Sequence, residues 1–195
     1  MTQNSLKIAI TGGIGSGKSA VLNIIKELGY SVISCDEIYR ELLSDKSFTK
    51  NLEEEFGDIL KQDKNLDRNK LSKIVFNDKE KLKRLNDITH PAIMKKVIKK
   101  MAGEKISFCE VPLLFEGGYE SLFDEVIVVL RDLNSRISAI TQRDGIDENE
   151  VINRINSQVI YENLQFEKYY VIHNNSDFVD LAQQTLKIVD KIINK

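Results

Sequence analysis

The chain has 195 residues, 42% of them hydrophobic, which is enough for one core with a modest insertion, so a single domain is expected. Its 28 Lys+Arg against 30 Asp+Glu leave a net charge of -2 with neither sign gathered into a long block, so no nucleic-acid partner is expected. Cys35 and Cys109 are too few for a disulfide framework or a CxxC site, and no apolar run approaches the ~20 residues that cross a bilayer; with a polar Met1–Ser5 this predicts a reduced cytoplasmic protein without leader or membrane anchor.

The first apolar run, Leu6–Thr11, reads as a strand and leads into Gly12-Gly13-Ile14-Gly15-Ser16-Gly17-Lys18-Ser19. This matches GxxxxGK[ST] in its required strand, loop and helix context. Glycines allow successive N–H groups to turn inward around a phosphate chain. The helix that follows adds unpaired N–H groups and the positive end of its dipole. Lys18 then reaches the β- and γ-phosphates and Ser19 is placed on Mg²⁺. Apolar spacing at Val21, Leu22, Ile24, Ile25 and Leu28 predicts a helix over Lys18–Leu28, stopped at Gly29. Ser31–Ser34 is a short β-branched strand, and Asp36 follows it, either capping the next helix or facing the ligand crevice at the strand's carboxyl edge.

From Glu37 to Met101 the pattern is charged and helical, with no convincing strand. Helices are predicted over Glu37–Leu43, Ser47–Phe56, Arg68–Phe76 (capped by Asp67), Asp78–Thr89 and Pro91–Met101, punctuated by Gly57 and the polar Gln62–Asn65. His90 precedes Pro91, which biases its backbone away from helix. Its ring either enters a pocket or bonds a local carbonyl. Strands resume at Ile106–Val111, closed by Pro112, and at Glu125–Leu130. The loop between them, Leu113-Leu114-Phe115-Glu116-Gly117-Gly118, is apolar enough to line a pocket or pack beneath one. A second helical stretch covers Asn134–Arg143, Asp147–Gln158 and on to Lys168, with Arg136, Arg143 and Arg154 along it. Tyr169–Ile172 is a fifth strand, and Ser176 or Asp177 caps a last helix to Asn194. Alternating strands and helices make this an α/β fold with a five-stranded parallel sheet, a three-layer sandwich of the P-loop type.

A phosphate loop alone does not separate kinases from switches and motors. The chain lacks the NKxD and DxxG motifs of GTPases and the LSGGQ signature of ABC-type ATPases. What remains is a small kinase, with one helical stretch to hold an acceptor and another to act as an arginine-bearing lid.

The sequence resembles the dephospho-coenzyme A kinase family. The matching pieces, in family order, are Thr11 to Ser19, Asp36, Phe56-Gly57, Leu66-Asp67-Arg68, Val75-Phe76, Thr89-His90-Pro91, Val111-Pro112-Leu113-Leu114-Phe115-Glu116, Arg143-Asp144, Arg154 through Gln158, and Asn174-Asn175. It departs from the pattern at Ala20, Lys64 and Ala139, where threonine, a turn glycine and a lid arginine are common. Arg136, one turn before Ala139, is a candidate replacement. The resemblance implies ATP and Mg²⁺ as cofactors, phosphorylation of the ribose 3′-hydroxyl of dephospho-CoA, and a monomer or small homo-oligomer. It implies a core over about 1–36, 104–133 and 169–195, an acceptor-binding insertion over 37–103 and a lid over 134–168. Asp36, Lys18 and Arg143 are the implied catalytic residues. Gly13, Gly15, Ser16, Gly17, Lys18, Ser19, Ala20 and Asn175 are implied on the nucleotide, Ser19 on the metal, and Asp36, His90 and Leu114 on the acceptor. Residue by residue, simpler readings stand beside these. Arg143 suits a helix end, Arg154 a helix surface, Asn175 a turn, Glu110 and Glu116 local networks, His173 a strand end, and the cysteines an apolar core.

Overall fold

The apolar run that opens the chain is β1 (Leu6–Thr11), the middle strand of a five-stranded sheet. The structure, a computed structural model, describes residues 5–57, 59, 66–75, 78–158, 161 and 166–195. Outside the described residues lie the Gln62–Asn65 turn with Lys64, Phe76, and much of the predicted helical run to Lys168. With β2 (Ser31–Ser34), β3 (Ile106–Glu110), β4 (Glu125–Leu130) and β5 (Tyr170–His173), the strand order is β2-β3-β1-β4-β5. The pairs β1–β3, β1–β4 and β4–β5 are parallel, with Ile10 opposite Glu110, Thr11 opposite Val128 and Leu130 opposite His173. The carboxyl ends of these strands therefore share one edge, and the glycine loop leaves from its centre.

Alternation along the strands builds the core. Ile8, Ile10, Phe108, Ile127, Val129 and Ile172 join one buried cluster with Val21, Leu22, Ile24 and Ile25 of α1 (Lys18–Glu27) and with Leu181, Val189 and Ile192 of the C-terminal helix. Thr11, Ser107 and Cys109 alternate with them and are fully buried as well. The strands are consequently apolar on both faces, as parallel strands covered by helices are.

The chain divides into two compact units, Met1–Ile33 with Lys100–Lys195, and Ser34–Lys99. The second contains α2 (Cys35–Leu42), α3 (Lys46–Phe56), α4 (Arg68–Val75) and most of α5 (Lys79–Met101). The Asp45 carboxylate accepts from the Ser47 and Phe48 N–H groups at 2.8 and 3.3 Å, which fixes the start of α3. The first unit continues with α6 (Leu133–Asp144), α7 (Glu148–Asn156) and α8 (Phe178–Ile193). Each starts on an aspartate, Asp132, Asp147 or Asp177, whose side chain accepts a first-turn N–H.

Three expectations are corrected. Helices predicted separately over Asp78–Thr89 and Pro91–Met101 form the single helix α5, so His90 is helical. Pro91 sits on the exposed side, while Thr89, Met94, Val97 and Met101 keep a buried stripe running past it. Asp36 is not the cap of α2. That helix begins one residue earlier, with Ser34 in the N-cap position and no side-chain capping bond. Strand β5 is also shifted one residue later than expected, to Tyr170–His173.

Phe108 is fully buried in β3, with its ring 5.6 Å from that of Tyr30. Phe108→Ala is expected to cost about 3–5 kcal/mol of unfolding free energy, read from denaturant titration.

Candidate functional site

The site is built around backbone that carries no side chains. Gly17 is the N-cap of α1, with φ 99° and ψ 20°, a left-handed conformation that suits glycine. The space a Cβ would need there is filled by the Asn174 side-chain nitrogen, which donates to the Ser16 carbonyl at 2.9 Å. At Gly13 a Cβ would run into the Arg136 guanidinium, and at Gly12 into the Val129 carbonyl. The loop is thus walled by the end of β4, by α6 and by the segment after β5.

Further contacts hold it. The Ile14 N–H donates to Gln158 Oε1 at 2.7 Å, and the Ile14 carbonyl accepts from Arg136 Nε at 2.9 Å. The Ile14 side chain packs against Ile137, Ile140 and Val151 of α6 and α7. Lys18 is buried, and its ammonium donates to the Gly12 and Gly13 carbonyls at 3.0 and 3.1 Å, so its charge lies within the loop. The Ser16 N–H donates to the Gly13 carbonyl at 3.1 Å, and the Ala20 N–H to the Gly17 carbonyl at 3.0 Å. The Ser19 hydroxyl donates to Glu110 Oε1 at 3.3 Å, across the β1–β3 edge. Among the described residues no group of three or more His, Cys, Asp or Glu gathers to hold a metal unaided.

Beside the loop, Gly13, Ser16, Val129, Leu130, Arg131, Arg136 and Tyr161 line a cavity of about 70 Å³. The Ser16 hydroxyl and Arg131 Nε are buried and without a hydrogen-bond partner among the described residues. The Tyr161 hydroxyl lies 3.4 Å from Thr11 Oγ1, and burial pushes its pKa up.

The arginines of α6 and α7 differ in setting. Arg143, whose side chain is 61% exposed, grips Asp144 with two bonds of 2.7 and 2.9 Å, and Arg154 reaches the same carboxylate at 3.4 Å. The Arg143 bond holds the Asp144 carboxyl below the ordinary range, and the pairing raises Arg143 in turn. Arg136 is 8% exposed. Asn175, expected on the nucleotide, accepts the Asp132 N–H at 2.8 Å through its side-chain oxygen and so ties the start of α6 to the segment after β5.

The structure brings together Gly13, Gly15, Ser16, Gly17, Lys18, Ser19 and Ala20 at the loop. Asp36 lies in the first turn of α2, exposed, two residues beyond the end of β2. His90 is half-buried on α5 of the second unit. Leu114, expected on the acceptor, is fully buried. Sequence reasoning missed the loop contacts of Gln158, Asn174 and Tyr161. Gln158 and Asn174 stood in matching family blocks and so carried a signal, while Tyr161 carried none.

Comparison with known proteins follows the same outline. The family model described as dephospho-CoA kinase matches residues 6–180. A Fusobacterium nucleatum protein named dephospho-CoA kinase is 36% identical over 188 residues, which cover 95% of this chain and 97% of that protein. The solved structure of dephospho-CoA kinase from Campylobacter jejuni is similar at TM-score 0.67 and 31% identity, covering 95% of this chain and 96% of that one. A crystal structure of a Thermus thermophilus protein reaches TM-score 0.82 at 29% identity, with coverage of 95% and 96%.

Burial lowers the His90 pKa below the ordinary 6.5, against an opposing pull from Asp87. The folded state therefore resists protonation that the unfolded chain accepts, and stability falls as pH drops through that value. His90→Gln is expected to show a shallower loss of unfolding free energy on acidification than the wild type, measured by denaturant titration across a pH series.

Proposed function

The chain belongs to the dephospho-CoA kinase family, whose reaction is phosphorylation of dephospho-CoA to coenzyme A in the last step of its synthesis, and we propose how this chain's residues carry that reaction out. The donor is ATP and the acceptor is the ribose 3′-hydroxyl. The observation that carries the reading is the glycine loop closed around the buried Lys18 ammonium at the N-terminus of α1. Backbone at Gly13, Gly15, Ser16 and Gly17, with the end of α1 through Ser19 and Ala20, cradles the phosphates, and Asn175 borders the base.

Phosphoryl transfer asks the protein mainly for alignment and charge stabilisation. Lys18 neutralises the transferring group. The acceptor oxygen bonds to the γ-phosphorus as the bond to the β,γ-bridging oxygen breaks, and that oxygen leaves on ADP. The proton of the 3′-hydroxyl passes to the Asp36 carboxylate. The Ser19 hydroxyl and Glu110 carboxylate are an oxygen pair suited to a hard cation, with Ser19 as ligand and Glu110 orienting it. Mg²⁺ held there would neutralise phosphate charge when bound. Arg143 exchanges Asp144 for the γ-phosphate, which its planar fork matches. Residues 37–103 hold the acceptor, with His90 among its contacts, and residues 134–168 act as the lid. The chain works in the cytoplasm, where its two buried free cysteines stay reduced. Among the described residues no helix is long and apolar enough to cross a membrane.

The test is ADP release from ATP and Mg²⁺ with and without dephospho-CoA, the product confirmed by mass. Acceptor-dependent release with a phosphate added at the 3′ position is expected; ATP binding without acceptor-dependent turnover would leave only a nucleotide-binding module. Asp36→Asn is expected to lower kcat by ~10² to 10⁴ while ATP binding persists. Arg143→Lys is expected to lower kcat with little change in melting temperature, measured by steady-state kinetics beside thermal unfolding.

A further inference from the structure

The segment after α7 reaches the base of the glycine loop at two points. Gln158 takes the Ile14 N–H at 2.7 Å, and Tyr161, 2% exposed, sets its hydroxyl 3.4 Å from Thr11 Oγ1 across 150 positions of chain. Thr11 is the last residue of β1 and is fully buried, and Gly12 turns the chain out of the sheet at φ 148°. The phenol oxygen therefore stands where strand becomes loop. There it also accepts from the Gly12 N–H, which with the Thr11 hydroxyl favours its ionised form, while burial opposes that form. The ring is held separately. It meets Phe115 edge to face, 5.9 Å between centroids, and Phe115 lies 5.3 Å from the Tyr169 ring. Aromatic pairs of this geometry stabilise beyond the area they bury. Phe115 belongs to the loop after β3, which is closed by the Leu113 and Leu114 carbonyls accepting from the Gly117 and Tyr119 N–H groups at 3.1 and 3.0 Å. Packing alone would ask for a ring and no hydroxyl, since a polar group buried this far costs stability unless its partners are in place. Here the ring fixes where the oxygen lies, and the oxygen fixes the turn.

We propose that Tyr161 is a positioning residue for the phosphate loop: its ring docks the segment after α7 against Phe115, and its hydroxyl holds the Thr11–Gly12 turn in the shape that aims the following N–H groups at the phosphates. This rests on the ATP-dependent kinase reading and adds to it a residue that touches neither phosphate nor acceptor. Tyr161 acts through the backbone of Thr11 and Gly12. Stability tracks the ring, and nucleotide binding tracks the hydroxyl.

The test compares Tyr161→Phe, which removes only the hydroxyl, with Tyr161→Leu, which removes the ring as well, by calorimetric binding of ATP, steady-state kinetics and thermal unfolding. Tyr161→Phe is expected to keep the wild-type melting temperature while ATP affinity and kcat each fall by about tenfold, the scale of one hydrogen bond, with the KM for dephospho-CoA unaltered. Tyr161→Leu is expected to lose at least as much ATP affinity and also to melt roughly 5 °C lower or more. Wild-type ATP affinity and kcat in Tyr161→Phe would overturn the proposal. So would a loss in Tyr161→Phe that comes with the same drop in melting temperature as Tyr161→Leu, the mark of packing alone. Thr11→Val approaches the same contact from the other side, and serves also if Tyr161→Phe does not fold. It is expected to weaken ATP binding, and combined with Tyr161→Phe to lose less than the product of the two single losses. Unchanged ATP binding in Thr11→Val, or losses that simply multiply, overturns the assignment. Binding is read without an acceptor, so failure here is distinct from failure of dephospho-CoA to be phosphorylated.

Discussion

The structure depends on one constraint, that the backbone at Gly12, Gly13, Gly15 and Gly17 stays bare. A phosphate loop works by presenting N–H groups at close range, which requires conformations and approaches that a Cβ forbids. In this chain the space left by the missing side chains is already occupied. The Val129 carbonyl fills it at Gly12, the Arg136 guanidinium at Gly13 and the Asn174 amide at Gly17. Each filler comes from a different element, so the bare loop sets how closely the end of β4, the first turn of α6 and the residues after β5 approach it.

The sheet supplies the rigidity this needs. β1 has a parallel neighbour on each side, and the pairing of Ile10 with Glu110 brings a carboxylate to the loop's exit, where the Ser19 hydroxyl meets it. Behind the loop, α1 and α8 bury one continuous apolar cluster with the strands. Burial of that kind is non-directional, while loop, lysine and serine are positioned by bonds of defined partners. Core packing fixes where the edge lies, and hydrogen bonding fixes what the edge presents.

Much of this was legible in the sequence where a local rule coincided with the global fold. Strands appeared as short β-branched runs, and the glycine loop as a motif whose strand and helix stood on either side. The capping aspartate Asp177 could be named as one of two candidates. Legibility failed where tertiary context decided. Pro91 reads as a helix boundary, yet it lies on an exposed side and a buried stripe carries α5 past it. Asp36 reads as a cap, but the backbone turns into helix before reaching it. Asn174 and Asn175 are adjacent and chemically alike; only the fold separates them, sending one amide to the Ser16 carbonyl and the other to the Asp132 N–H. Of the candidate site, the loop was readable as a motif, while Gln158 and Tyr161 reach it from far along the chain and no spacing rule connects them to it.

The two arginines of α6 sit in opposite settings on one helix. Arg143 is largely exposed and bound to Asp144, its sequence neighbour, which Arg154 also approaches. Exposed ion pairs contribute little because water competes for both partners, so this pairing adds little to the stability of the fold. Arg136 is buried, and its Nε bond to the Ile14 carbonyl belongs to the same set of contacts that keeps the loop in shape. Moving it would disturb the loop itself. Arg136 and Arg143 stand seven positions apart, about two turns of α6, so one rigid element carries both, and the difference between them comes from burial at one end and exposure at the other.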